Sequence, residues 1–395
     1  MSPNLLSSFW ERMGLEDGHR EVCVRAVQKL YPGHMVKEFG EQGYCSFTLR
    51  ISRFEGEASA SNRSDGSAST SSVSVSKVEV TFVVQIRPEQ HALDFTIAHA
   101  VSQTYGPYTP KVRKLDCNLP GRLQAFEMDM IPGIPLSRCH SRSTNPSPSS
   151  WTKQVNLVQS FATFIALAWP SPSNNAQTTR HSRADSPINE IPNLLSACTG
   201  NVGANIIPKL NKLSLRLPDD ALRTRAAETR DKLLKVKNHP IVLNHGDLIA
   251  SNMLVDEDTW QITGLVDWAE AEWLPFGTCL YGLEFLLGYI DATCTSTSDS
   301  ASDSETTTGH KPVWRYYFDA PRLRELFWAR LCDEAPGMKD RMEDVLLARD
   351  LGVLLWYGYA WDEGAIDRVV NEKADAVEVE CLRTFLGVGK YAEVL

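Results

Sequence analysis

Cysteine is sparse, with nine in 395 residues. The number is odd and no Cys-x-x-Cys pair occurs. That excludes a disulfide framework or a zinc ribbon and fits free thiols in a reducing compartment. No uninterrupted apolar run approaches the roughly 20 residues a bilayer crossing needs, so no membrane partner is expected. A basic excess is missing too. The net charge of −9 argues against a nucleic-acid partner, because such binders carry basic surface. Residues 1–12 lack a basic leader followed by an apolar core, so no secretory signal is expected and a cytoplasmic location is the default. No internal repeat is visible. What remains, 43% hydrophobic and 23% charged residues, is the composition of a soluble globular protein long enough for two lobes.

The informative stretch is residues 241–276. An apolar run, Ile241 to Leu243, enters a polar loop with His245, Asp247 and Asn252. Two apolar stretches, Met253–Val255 and Trp260–Val266, follow around the acidic tetrapeptide 256–259. That alternation predicts strand, turn, strand. A hairpin returns the chain to its start, so Asp267 is expected beside the loop holding Asp247 and Asn252. Two carboxylates and a carboxamide at one mouth suit phosphoryl transfer, which needs positioning and cations rather than covalent help. Asp247 would take or orient the proton of an attacking hydroxyl. Asn252 and Asp267 would offer hard oxygens to Mg²⁺, which keeps waters and phosphate oxygens in its other positions. Any one of these residues alone would read as a turn cap. The three at this spacing do not.

His245-Gly246-Asp247-x₄-Asn252, then Gly264-Leu265-Val266-Asp267-Trp268 and Pro275, resembles the aminoglycoside phosphotransferase family, including its fungal-type members of unassigned substrate. The resemblance implies an α+β, protein-kinase-like, bilobal fold. It places a small nucleotide-binding lobe with an antiparallel sheet plus helix at 1–130 and a larger, mainly helical catalytic lobe at 131–395. It implies Asp247 as catalytic base and Asn252 and Asp267 as metal ligands; His245, which phosphoryl transfer does not require, reads as a brace of the loop. ATP, or alternatively GTP, would be the donor with Mg²⁺, and a small-molecule hydroxyl the acceptor.

The remaining sequence can be laid on that plan. Residues 16–30 predict an amphipathic helix, stopped by Tyr31-Pro32-Gly33. Residues 35–51 read as strand, turn, strand, with Gly40 and Gly43 where the family covers the phosphates, although a plain β-turn reads the same way. Residues 55–77 collapse to Ser, Ala, Gly, Asn and Thr, and the stretch of about 292–311 to Ser and Thr beside acids; both are expected to be disordered inserts. Val78 to Arg87 alternates as a strand. The resemblance puts Arg87 where kinase-like folds carry Lys, and Arg prefers forked contacts to oxyanions. A helix over 93–104 follows. Asp94 near its start is the candidate partner of Arg87, or simply an acid at a helix N-terminus. Residues 122–133 would form the hinge, with the backbone at Met128 and Met130 meeting adenine or the side chains merely in a core. Leu280 to Ile290 predicts a buried helix beneath the catalytic loop, and 314–386 a helical region. Seven acids against two bases between Asp362 and Glu380 read as a solvated helix face, or, as the resemblance implies, as acids lining an acceptor cleft.

Two other functions compete with phosphotransfer. A non-catalytic kinase-like binding protein is raised by Arg87, Asp94 and the insert beside the strand. A metal hydrolase on His245-x-Asp247 is disfavoured, because the nine histidines form no second pair at ligand spacing.

Overall fold

The computed structural model describes residues 9–16, 18–40, 42–54, 79–139, 148–170, 194–291, 312–362 and 365–388. Both expected inserts fall outside those residues. The chain divides into two compact units, Met1–Ser102 with Pro110–Ile131, and Gln103–Thr109 with Pro132–Leu395.

In the first unit, α1 (Phe9–Arg12) and α2 (Gly18–Leu30) precede β1 (Met35–Glu38), β2 (Phe47–Phe54) and β3 (Glu79–Pro88). Next come α3 (Phe95–Tyr105), whose last turn belongs to the second unit, β4 (Val112–Leu115) and β5 (Leu123–Asp129). The strands form one antiparallel sheet in the order β1-β2-β3-β5-β4. Alternation along β-branched strands separates the faces. Leu49, Ile51, Val84, Ile86 and Ala125 form the core with Phe9, Trp10, Cys23 and Val27 of the two helices. Register puts Gln85 opposite Phe126 and Arg87 opposite Gln124. Phe126 meets Phe95 of α3 at 5.8 Å between ring centres.

The second unit begins with β6 (Ile134–Pro135), α4 (Leu136–Cys139), α5 (Pro148–Ala166), α6 (Gly200–Gly203), α7 (Ile206–Arg216) and α8 (Asp220–Leu233). Four short strands follow, β7 (Ile241–Asn244), β8 (Met253–Val255), β9 (Ile262–Leu265) and β10 (Glu272–Pro275). The unit closes with α9 (Glu284–Leu287), β11 (Gly288–Asp291), β12 (Val313–Tyr316), α10 (Ala320–Glu334), α11 (Met342–Tyr357) and α12 (Ala376–Phe385). Its core is helical: Phe161 of α5 stacks on Phe327 of α10 at 5.7 Å. The backbone of α11 lies against the 278–283 turn so closely that a Cβ on Gly352 would fall 1.7 Å from Thr278 O.

The α+β class, with an antiparallel sheet in one part and a mainly helical remainder, is as expected. Two local expectations are corrected. The predicted helix 280–290 is a 3₁₀ turn, Thr278–Leu283, then four residues of α9, then strand β11. Gly288 is extended, and a Cβ there would sit 2.5 Å from Arg315 O on β12. The helical stretch 314–386 correspondingly opens as strand, pairing Gly288 with Tyr316 through Asp291 with Val313. An apolar run alone does not separate a buried helix from a buried strand.

Candidate active site

β8 and β9 pair antiparallel, Met253 opposite Leu265, with a register shift at Leu254/Val255. The turn between them is made by Asp256, whose Oδ1 accepts from Thr259 N at 2.8 Å and Thr259 Oγ1 at 2.7 Å. β10 runs back antiparallel to β7, Glu272 opposite Asn244. Together these pairings bring both ends of the polar stretch, Asn244 and Asp267, back to the same loop.

Asn252 Nδ2 donates to Asp247 Oδ2 at 2.9 Å and to Asp247 O at 3.0 Å. Val266 N donates to Asn252 O at 3.0 Å. The carbonyl of the same residue, Val266 O, accepts from His245 Nε2 at 2.9 Å. Val266 is therefore held at both its polar atoms, and Asp267 follows it directly in left-handed backbone (φ 61°, ψ 63°). A non-glycine residue at positive φ is held there by its surroundings. Asp247 and Asn252 are thus in contact, and Asp267 is near enough that its charge acts on Asp247.

The electrostatics follow from burial. The Asp247 carboxyl is raised to about 7, first by desolvation and then by the charge of Asp267, against a lowering by the Asn252 amide. His245 is lowered to about 4 by desolvation, only partly offset by Asp267 and the Val266 carbonyl. Its Nδ1 receives Asp247 N at 3.3 Å while Nε2 faces the Val266 carbonyl, which defines a neutral ring with the proton on Nε2. The ring is expected to stay neutral at about pH 5.5, where a free imidazole is mostly charged. Ring-nitrogen NMR shifts check this, and a doubly protonated His245 at that pH would contradict it.

Further supports came with no warning from the motif. Tyr281 is fully buried; its hydroxyl accepts from Leu248 N at 2.9 Å and donates to Gly246 O at 3.3 Å. Its ring stacks on Trp356 at 5.1 Å. Tyr105 OH donates to Leu243 O at 2.5 Å, and Asn244 Oδ1 accepts from Cys279 N at 3.1 Å. Trp268 packs 4.4 Å from the His245 ring. An apolar run around Leu280 did point to support from below, but nothing marked the tyrosine hydroxyl as its contact. Gly246 has φ +79°, and a Cβ there would lie 1.9 Å from Glu270 O. No other residue fits.

The candidates in the first unit stand as follows. Gly40 and Gly43 lie between β1 and β2. Arg87 is buried at 2% exposure; its Nε donates to Gln85 Oε1 at 3.1 Å and Nη1 lies 3.5 Å from Cys45 Sγ. Asp94 does not pair with Arg87. Its Oδ1 accepts from Thr96 N at 2.7 Å and Ile97 N at 3.3 Å, capping α3, where a short carboxylate satisfies the orphan N–H groups of a helix start. Met128 is buried in β5, opposite Val83, and Met130 is half-buried just beyond the strand.

The donor set fits Mg²⁺. Asn252 Oδ1 and Asp247 Oδ1 accept no hydrogen bond among the described residues, and Asp267 is exposed. Among the described residues no group of three His, Cys, Asp or Glu is poised for a metal. A site with few protein ligands suits an ion that takes its remaining oxygens from phosphates and water.

Residues 204–278 match the phosphotransferase enzyme family. No curated protein matches the chain. Among solved structures, it is similar to aminoglycoside phosphotransferase APH(3'')-Id from Streptomyces rimosus, at 14% identity and TM-score 0.40, covering 84% of this chain and 98% of that one. It is similar to macrolide 2'-phosphotransferase MphH from Brachybacterium faecium, at 14% identity and TM-score 0.40, covering 89% and 99%. Likenesses at this level say nothing about substrate. What the chain shares with the phosphotransferase enzyme family is the segment 204–278, which contains Asp247, Asn252 and Asp267.

Proposed function

We propose that the protein is a Mg²⁺-assisted phosphotransferase that moves the γ-phosphoryl of ATP, or of GTP, onto the hydroxyl of a small molecule. The observation that carries this reading is the Asn252–Asp247 hydrogen bond with Asp267 one residue beyond the doubly held Val266. Asp247 Oδ1, open while Oδ2 is engaged, would accept the proton of the attacking hydroxyl. Asn252 Oδ1 and the Asp267 carboxylate would hold the metal, which supplies charge neutralisation at the phosphate oxygens. His245, neutral and tied to Val266 O, would brace the loop without exchanging protons. In the first unit, Arg87 and the turn of Gly40 and Gly43 would hold phosphates, and the backbone at Met128 and Met130 would meet adenine. The family segment at 204–278 supports the reaction class.

The second reading, a kinase-like protein that binds without turnover, has one observation in its favour. Asp94 caps its own helix, and the contacts of Arg87 include Gln85 and Cys45. The deciding experiment measures ADP release with Mg²⁺ and a panel of alcohol acceptors for wild type, Asp247→Asn and Asp267→Ala. Turnover in wild type, with loss of at least about a hundredfold in both variants, is expected from removal of a base or a metal ligand. Equal rates in all three would sink the enzyme. Nucleotide binding without any turnover would favour the second reading.

A further inference from the structure

The turn between β1 and β2 is closed from within by Gln42. Its Nε2 donates to Phe39 O at 2.7 Å and Thr48 O at 3.0 Å, while Oε1 accepts from Thr48 N at 2.7 Å. It is also held from outside by a residue 31 and 32 positions away. Arg12 donates from Nη2 to Gly43 O at 3.2 Å and Tyr44 O at 3.1 Å, and from Nε to Tyr44 O at 3.3 Å. Its guanidinium also lies 5.0 Å from the centre of the Tyr44 ring. Arg12 has a firm footing. The helix it ends is pinned by Phe9 and Trp10, both 4% exposed, with Trp10 packed 5.0 Å from Phe47, the first residue of β2.

We propose that Arg12 is a positioning residue for nucleotide: it sets the orientation of the peptide planes at 43–45 and through them the affinity for a nucleotide phosphate. The inference rests on the proposed function above, and it reaches beyond it by tying a distant N-terminal helix to the phosphate-covering turn. A trans peptide plane points its C=O and its N–H in opposite directions. With the carbonyls of Gly43 and Tyr44 drawn to the Arg12 guanidinium, the amide N–H groups of Tyr44 and Cys45 turn to the other side. Donors aimed in advance at an anion avoid the ordering cost that a loose turn meets on binding. The holding also keeps two carbonyl dipoles away from the phosphate. The fork matters: a guanidinium bridges two carbonyls and stacks on the ring at once, and an ammonium does not. In the same turn, the Cys45 thiol lies 3.5 Å from Arg87, the proposed phosphate-holding cation.

The test uses the full chain as wild type, Arg12→Ala, Arg12→Lys and Arg20→Ala. Arg20 belongs to the same unit and is fork-paired with Glu38 on β1 at 2.7 and 2.6 Å. Two readouts are taken: amide hydrogen exchange across 42–46, and affinity for a fluorescent ATP analogue with Mg²⁺. Arg12→Ala is expected to speed exchange in the turn and weaken nucleotide by about tenfold, the scale of charged hydrogen bonds lost. Arg12→Lys should fall between, and Arg20→Ala should leave both readouts unchanged. Unchanged exchange and affinity in Arg12→Ala overturn the inference. A wild type that binds no nucleotide overturns the functional reading and the affinity claim with it; exchange in 42–46 then still shows whether Arg12 holds the turn.

Discussion

Asp247→Asn is expected to remove phosphoryl transfer and, at the same time, make the folded protein more stable at pH 8. The activity loss follows from the proposed role, since a positioned base contributes on the order of 10²–10⁴ in rate. The stability gain follows from burial. The folded carboxyl is raised from 3.8 to about 7, so between those values the folded chain holds a proton the unfolded chain has released. Stability therefore falls as pH rises across that window, and the penalty is complete above about pH 7. A shift of this size sets a ceiling of about 4 kcal/mol. With the residue only half-buried, about 1–3 kcal/mol is the expected gain on replacing the carboxylate by its neutral isostere. The gain should shrink at pH 5, where most of the wild-type carboxyl is already neutral. Melting curves of the two proteins at pH 5 and pH 8, without metal or nucleotide, check it. A variant less stable than wild type at pH 8 would refute the picture of a carboxylate crowded by Asp267.

His245 acts in the opposite sense. Its folded value near 4 lies below that of the free ring, so its contribution is present above about pH 6.5 and is lost as pH falls toward 4. The two slopes oppose each other between roughly pH 4 and 6.5, which is why the comparison above is made between Asp247 variants rather than read from the wild-type profile alone.

The contrast between these residues also shows where sequence reasoning reached and where it stopped. The hairpin of β8 and β9 was legible because apolar strands flank an Asp-rich turn, and Asp256 does cap that turn. The meeting of Asp247 and Asn252 was legible from a five-residue step within one loop. The strand carrying Arg87 was legible from alternation, and its burial was not, since an arginine at a strand end is ordinarily exposed. Asp94 had two readings, and the local one, a helix cap, prevailed because the N–H groups it satisfies are two and three residues away. Tyr281 was not legible. Its hydroxyl reaches Gly246 and Leu248 from more than 30 positions on, and an apolar run gives no sign of which polar atom points where. Contacts of this kind belong to tertiary packing and leave no periodic trace.

The same holds for Glu284, and the largest stability effect is expected there. Three residues after Tyr281, it is 2% exposed and accepts from Arg324 Nη2 at 2.8 Å, Arg349 Nη2 at 3.2 Å and Tyr316 OH at 2.8 Å. Arg349 is half-buried and shares itself with Asp350 at 2.8 Å. Removing the central acid takes away the carboxylate shared by two guanidinium groups that are only 15% and 13% exposed, with Asp350 left to Arg349; Glu284→Ala is expected to cost about 3 kcal/mol, the low end for breaking a buried pair. Glu284→Gln keeps acceptor atoms and should lose less. Denaturant unfolding measures both, and a loss under about 1 kcal/mol for alanine would mean the arginines find other partners. A buried ion cluster is a poor source of net stability compared with well-packed apolar side chains, so Glu284→Met combined with Arg349→Met should recover part of the loss. Recovery of stability without recovery of turnover would locate the value of the cluster in geometry. It anchors the end of the 278–283 turn, that turn carries Tyr281, and Tyr281 holds the backbone on either side of Asp247.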